Sequence, residues 1–164
     1  MRTVRALLER DPAIKIIHYF RDPRGLELSR SVGMSGNKNE AMIRDAQFTC
    51  HKMKQDIEER KALEGLYPHS FKVLRYEDLA MDTDKTAQDI YDFIGAPMPV
   101  EVRRWLKINT HKKNANNHNR LGTSRKNSTA TALRWRRQLN ATTIQHITSL
   151  CEFVLTELGY DAQV

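Results

Sequence analysis

The sequence predicts an α/β domain in which helices flank a parallel sheet. Ala13 to Phe20 (AIKIIHYF) is a short, nearly continuous apolar run, the pattern of a strand covered on both faces. Asp22-Pro23 follows at once and reads as a helix cap with proline at the first helical position. A second short strand, Phe71 to Arg75, comes after a long helical stretch. Both strands look central rather than edge-like, and two strands alone make no stable parallel sheet. The chain therefore reads as residues 1–164 of one incomplete domain, with further strands lying elsewhere or supplied by another chain.

The other elements follow in order. Residues 2–10 form a helix with Val4, Leu7 and Leu8 on one face. A helix from about Arg24 to Ser31 gives way to a loop marked by Gly33, Gly36 and Asn37. Residues 40–64 form a long helix, with Ala46, Cys50, Met53 and Ile57 at helical spacing, ended by Gly65 and Pro68. Tyr76 to Ala80 begins another helix. Thr83 is expected to cap a helix with Ala87, Ile90, Tyr91 and Ile94 on one face, closed by Gly95 and Pro97. Pro99 opens a helix carrying Val102, Trp105 and Leu106. Residues 109–127 read as an irregular loop, and Thr129 to Leu139 as a short basic helix. Asn140 caps one final helix running through Ile144, Ile147, Cys151 and Leu155 to Gly159.

With 40% hydrophobic and 29% charged residues, the composition excludes a disordered or low-complexity chain. No apolar run is long enough to span a membrane. Two cysteines, Cys50 and Cys151, cannot form a disulfide scaffold, and their redox state is left open. No CxxC motif is present, and the six histidines fall in no metal-ligand spacing, so no metal is expected. His18, within the first strand, reads as a core or rim residue rather than a base. The net charge of +7 is concentrated. Residues 101–140 hold eleven Lys/Arg and one acid, whereas residues 1–100 hold sixteen of each sign. Such a field suits nucleic acid, a nucleotide, a sulfated glycan or a membrane surface; the plain alternative is a solvated basic loop.

Three segments can carry chemistry. In Arg21-Asp22-Pro23-Arg24, Arg21 ends a buried strand, where open α/β sheets bind ligands, and a guanidinium there can grip a phosphate. Ser29, two turns into the next helix, can offer a hydroxyl to the same anion. The alternative is a well-capped turn with a surface arginine. In Arg75-Tyr76-Glu77-Asp78-Leu79, Tyr76 ends the second strand at the same rim, and its ring can pack on a nucleobase. There the alternative is a satisfied turn with two acids in a first helical turn. Gly122 to Ser128 (GTSRKNS) combines a glycine, hydroxyls and two cations in a loop able to wrap a phosphate, without the spacing of a Walker loop. No nucleophile stands out, so the catalytic residues stay unassigned.

Taken together, IIHYFRDPRGLELSRS, VLRYEDLAMDTDKTAQDIYDFIGAPMPVEVRRWLKINTH, GTSRKNSTATALRWRRQL and CEFVLTELGY resemble the carbohydrate sulfotransferases. More closely, they resemble the Golgi galactose/N-acetylgalactosamine/N-acetylglucosamine 6-O-sulfotransferases. The likeness runs from about residue 2 to Tyr160, in order and spacing. It implies a P-loop-like α/β sulfotransferase fold, of which this chain is the C-terminal part. It implies 3′-phosphoadenosine 5′-phosphosulfate (PAPS) as donor and a sugar hydroxyl, chiefly the 6-hydroxyl, as acceptor. By resemblance, Arg21 and Ser29 hold the donor's 3′-phosphate, Tyr76 contacts adenine, and Arg125 is a further basic contact to the 3′-phosphate region. The family's N-terminal strand and its Ser/Gly-rich phosphosulfate loop have no counterpart here, so the isolated chain is expected to be inactive. The resemblance also implies a glycoprotein or proteoglycan (glycosaminoglycan) sugar chain as partner, no nucleic acid, and a Golgi lumenal site held by an anchor missing from this sequence.

The rival is a non-catalytic basic module that binds glycans or nucleic acid. It accounts for the charge but not for the positions of Arg21, Ser29, Tyr76 and Arg125. Asn127-Ser128-Thr129 and Asn140-Ala141-Thr142 are glycosylation sequons, with Asn140 the expected acceptor.

Overall fold

The computed structural model describes residues 2–32, 36–110 and 125–162. Helix α1 (Arg2–Arg10) leads into strand β1 (Ile16–Phe20), and α2 (Pro23–Arg30) starts after two intervening residues. Helix α3 (Lys38–Leu66) runs 29 residues and returns the chain to β2 (Phe71–Arg75). The two strands pair in parallel, with Ile16 opposite Phe71 and Phe20 opposite Arg75. Then come α4 (Tyr76–Met81), α5 (Thr83–Ile94), α6 (Val100–Thr110), α7 (Ser128–Ala132), α8 (Trp135–Gln138), α9 (Ala141–Leu150) and α10 (Glu152–Glu157). This is the predicted α/β arrangement, a small parallel sheet flanked by helices.

Local chemistry explains most boundaries. The Asp22 carboxylate accepts from the Arg24 N–H and Pro23 supplies the first helical φ, so α2 starts as the sequence requires. Asn37 caps α3 by accepting from the Glu40 N–H. Gly95 ends α5 at φ 72°, a left-handed conformation that costs glycine little.

Three expectations are corrected. Asp82 rather than Thr83 caps α5, because its carboxylate reaches the Lys85 N–H. The basic helix of 129–139 is two short helices, α7 and α8, meeting at Leu133 and Arg134. The final helix breaks at Cys151, whose ψ of 10° separates α9 from α10.

The core lies between β1, α3, α8, α9 and α10, where Phe20, Met42, Ala46, Ile57, Trp135, Ile147 and Leu155 are buried together. Cys50 of α3 and Cys151 are joined in a disulfide that spans 101 residues of sequence. The bond ties the longest helix to the α9–α10 junction. Sequence reading left this pairing open, since two cysteines a hundred residues apart give no local signal.

The strands are not covered on both faces as their apolar runs suggest. Along β1, Ile16, His18 and Phe20 turn inward while Ile17 and Tyr19 are exposed, at 37% and 51%. Val73 of β2 is exposed as well. A strand apolar on both faces but covered on one fits a sheet that is part of a larger domain.

Candidate functional site

Parallel register dictates the first feature of the site. Phe20 and Arg75 are partners, so the residues after them, Arg21 and Tyr76, emerge side by side at the carboxyl rim of the sheet. The Arg21 guanidinium carbon sits 4.5 Å from the centre of the Tyr76 ring, a cation–π stack. Arg21 Nε is shielded from water and has no hydrogen-bond partner among the described residues. A partly buried guanidinium with an unspent donor is poised to accept an anion. Two residues singled out 55 positions apart in sequence are thus brought into contact.

Ser29 is exposed near the end of α2 and is not part of that stack. Arg125 is half-buried, and its N–H donates to the Asn109 carbonyl at 2.7 Å, which seats it beside the end of α6. The proposed GTSRKNS loop lies partly outside the described residues, at 122–124. Its Ser128 is not a ligand group in waiting. The hydroxyl is buried and donates to the Ala80 carbonyl at 2.6 Å, docking α7 on α4.

Sequence reading missed the scaffold behind the rim. Arg24, inside the RDPR motif, is fully buried. Its Nε and one terminal nitrogen bridge both Asp22 oxygens, at 2.9 and 2.8 Å. The guanidinium also donates to the Asp161 carbonyl and stacks 4.2 Å from the Trp135 ring. Of the motif's two arginines, then, the second is fully buried in structural pairing and the first is half-buried against Tyr76. A β-carbon on Gly25 would stand 2.9 Å from the Trp135 ring, so only glycine lets α2 approach this closely.

Glu77 is also buried, and it accepts from the Asp22 N–H at 3.2 Å and from the Tyr160 hydroxyl at 2.8 Å. Burial pushes its carboxyl above the ordinary range, opposed by those hydrogen bonds. Arg75 clasps Asp78 with two donors and reaches the carbonyls of Leu158 and Gly159. Tyr160 and Asp161 therefore lock both strand ends from behind. The signal was present as buried-type polar residues near a strand end, but Tyr160 and Asp161, which complete them, lie 83 and 137 residues from Glu77 and Arg24.

Two other titratable groups sit on β1. Burial, with the Arg60 charge adding to it, lowers His18 to about 4. Its ring packs 4.0 Å from the centre of the Phe20 ring on the inward face of β1, where it is half-buried. Burial raises Tyr19 to about 12. Among the described residues, no three His, Cys, Asp or Glu side chains are grouped to hold a metal ion. No helix there is long and apolar enough to cross a membrane.

With a parallel pair, a strand-to-helix turn capped by Asp22, and a half-buried arginine stacked on a tyrosine, the family comparison becomes decisive. Residues 4–159 match the sulfotransferase domain. The chain belongs to that family. The sulfotransferase domain is similar to carbohydrate sulfotransferase 1 of Rattus norvegicus and of Homo sapiens, each 30% identical over an alignment of 172 positions that covers 96% of this chain and 41% of the relative. It is also 29% identical to carbohydrate sulfotransferase 3 of Tetronarce californica, over 90% of this chain and 36% of that protein. The chain thus spans about two fifths of the length of the curated relatives it matches. No solved structure matches it.

Proposed function

We propose that this sulfotransferase domain is the C-terminal, donor-gripping part of a carbohydrate sulfotransferase. The whole enzyme moves a sulfuryl group from PAPS to a sugar hydroxyl, the 6-hydroxyl, of a glycoprotein or proteoglycan glycan in the Golgi lumen. Residues 1–164 form one incomplete domain that carries the 3′-phosphate end of the donor site and, alone, transfers nothing.

The observation that carries this reading is the Arg21–Tyr76 stack with its unspent Arg21 Nε, at the carboxyl ends of parallel strands in a member of this family. The donor's fit to these residues is chemical. The Arg21 fork suits a phosphate dianion, the exposed Ser29 hydroxyl suits one of its oxygens, and the Tyr76 face not taken by Arg21 suits a purine. Arg125 is assigned a further cationic contact to the 3′-phosphate region. The donor supplies the activated sulfuryl group. This chain's share is to hold the nucleotide so that the group points in line at the acceptor oxygen, and positioning of that kind is a large part of such catalysis.

Calorimetry with adenosine 3′,5′-bisphosphate on the full-length enzyme tests the assignment. Arg21→Ala is expected to weaken binding by about 2–4 kcal/mol, with Arg21→Lys restoring only part because the planar fork is lost. Ser29→Ala is expected to cost about 1 kcal/mol. Unchanged affinity in Arg21→Ala removes the site. Tighter binding of oligonucleotides than of the bisphosphate, with steep salt dependence, would favour the non-catalytic basic module instead.

A further inference from the structure

A groove of about 700 Å³ runs between the first half of α3 and α9. That is within the roughly 300–1,000 Å³ that small ligands fill. Asn39 and Gln47 offer amides along it, His146 an imidazole, and Ile43 and Leu150 an apolar floor. Asn140 stands on its rim. The Asn140 Oδ1 caps α9 by accepting from the Thr143 N–H at 2.8 Å, which leaves the Nδ2 amide unspent on an exposed residue.

The two sequons differ in what surrounds them. At Asn127-Ser128-Thr129 both hydroxyls are turned onto the Ala80 carbonyl and Ser128 is buried, so the segment is pressed against α4. At Asn140-Ala141-Thr142 all three residues are exposed. A second observation concerns the compartment. Cys50 and Cys151 are bonded, and disulfides persist in the secretory lumen and outside the cell, where such sequons are also modified.

We propose that Asn140 carries an N-linked glycan whose innermost N-acetylglucosamine units lie along the α3–α9 groove. This rests on the lumenal setting of the proposed function. The sugar comes from a lipid-diphosphate-linked oligosaccharide. A bond forms between Asn140 Nδ2 and C1 of the first sugar, the C1–O bond to the diphosphate breaks, the lipid diphosphate leaves, and Nδ2 gives up one proton. The sugars' apolar faces cover Ile43 and Leu150, while their hydroxyl and acetamido groups meet Asn39, Gln47 and His146.

The test uses the native protein made in eukaryotic cells. Enzymatic deglycosylation in heavy-oxygen water, then peptide mass spectrometry, is expected to label Asn140 and not Asn127, with the Cys50–Cys151 peptide found linked. A linked disulfide with Asn140 bare overturns the glycan while leaving the lumenal reading intact. Reduced cysteines with both asparagines bare overturn the glycan and that reading together. For the groove, carbethoxylation of His146 is compared between the native protein and Thr142→Ala, which keeps the α9 cap but loses the acceptor sequence. Several-fold faster modification without the glycan is expected. Equal rates mean that the sugar stands away from the groove and overturn its docking. Removing the glycan enzymatically from the folded native protein repeats the comparison without any substitution.

Discussion

The rim behind Arg21 and the α5–α6 pair are both rich in charge, yet they are built differently. At the rim, Asp22, Arg24 and Glu77 are buried, and besides the local Asp22–Arg24 pair their contacts join segments distant in sequence. In α5 and α6, Ala87 is the only buried residue, and Trp105, Ile108 and Val100 are exposed. The links between the two helices are exposed, Arg103 to Asp84 and Gln88, and a half-buried one joins Thr86 to the Asp78 carbonyl. Charges removed from water must be fully paired, and once paired they fix geometry; charges left in water fix little. The rim is therefore the more firmly held of the two regions, and the proposed nucleotide site lies on it.

Four measurements on the full-length protein would break or sharpen this contrast. The largest effect is expected from replacing Cys50 and Cys151 together with serine. A loop of 101 residues is released, which lowers stability by about 4.7 kcal/mol in the chain-entropy picture. Urea unfolding read by fluorescence should show it, and a loss under 1 kcal/mol would mean that packing of α3 on α9 suffices, ~1 kcal/mol being an ordinary single-contact change.

Asp22→Ala comes next, at about 3–5 kcal/mol, because it strands the Arg24 guanidinium in the core without its counter-charge. Arg24→Met, which removes the buried charge itself, should cost less. If the two cost the same, Arg24 acts through packing on Trp135 rather than through its charge.

Tyr160→Phe removes one donor to Glu77 and is expected to cost about 1–3 kcal/mol near neutral pH. The sign of its pH dependence follows from the raised Glu77 carboxyl. Burial favours the protonated form in the folded state, so the cost of ionising Glu77 is absent below the ordinary value of 4.5 and grows as pH rises above it. The Tyr160 hydroxyl offsets that cost only while Glu77 is charged. The Tyr160→Phe penalty should therefore shrink on acidification, and a pH-independent penalty would mean that Glu77 is protonated throughout.

The smallest effect belongs to the other region. Arg103→Ala breaks the link to Asp84 in an exposed setting and is expected to cost under about 1 kcal/mol, less still at high salt. A larger loss would show that α5 and α6 are held as firmly as the rim.

Much of this was legible in the sequence. The helix starts at Pro23 and Ala141, the strand ends at Phe20 and Arg75, and the left-handed stop at Gly95 follow from residues within four positions of each boundary. The adjacency of Arg21 and Tyr76 follows too, once two strands are taken as parallel neighbours, because each residue is the first beyond its strand. What lay beyond the sequence involves partners far along the chain. The Cys50–Cys151 bond, the Arg24 contact to Asp161 that buries Arg24 rather than Arg21, the docking of Ser128 on Ala80 and the Tyr160–Glu77 hydrogen bond join residues 48 to 137 positions apart. Local spacing sets which groups a turn or cap can satisfy, but a buried charge is satisfied by whatever the folded chain brings to it, and that only tertiary packing decides.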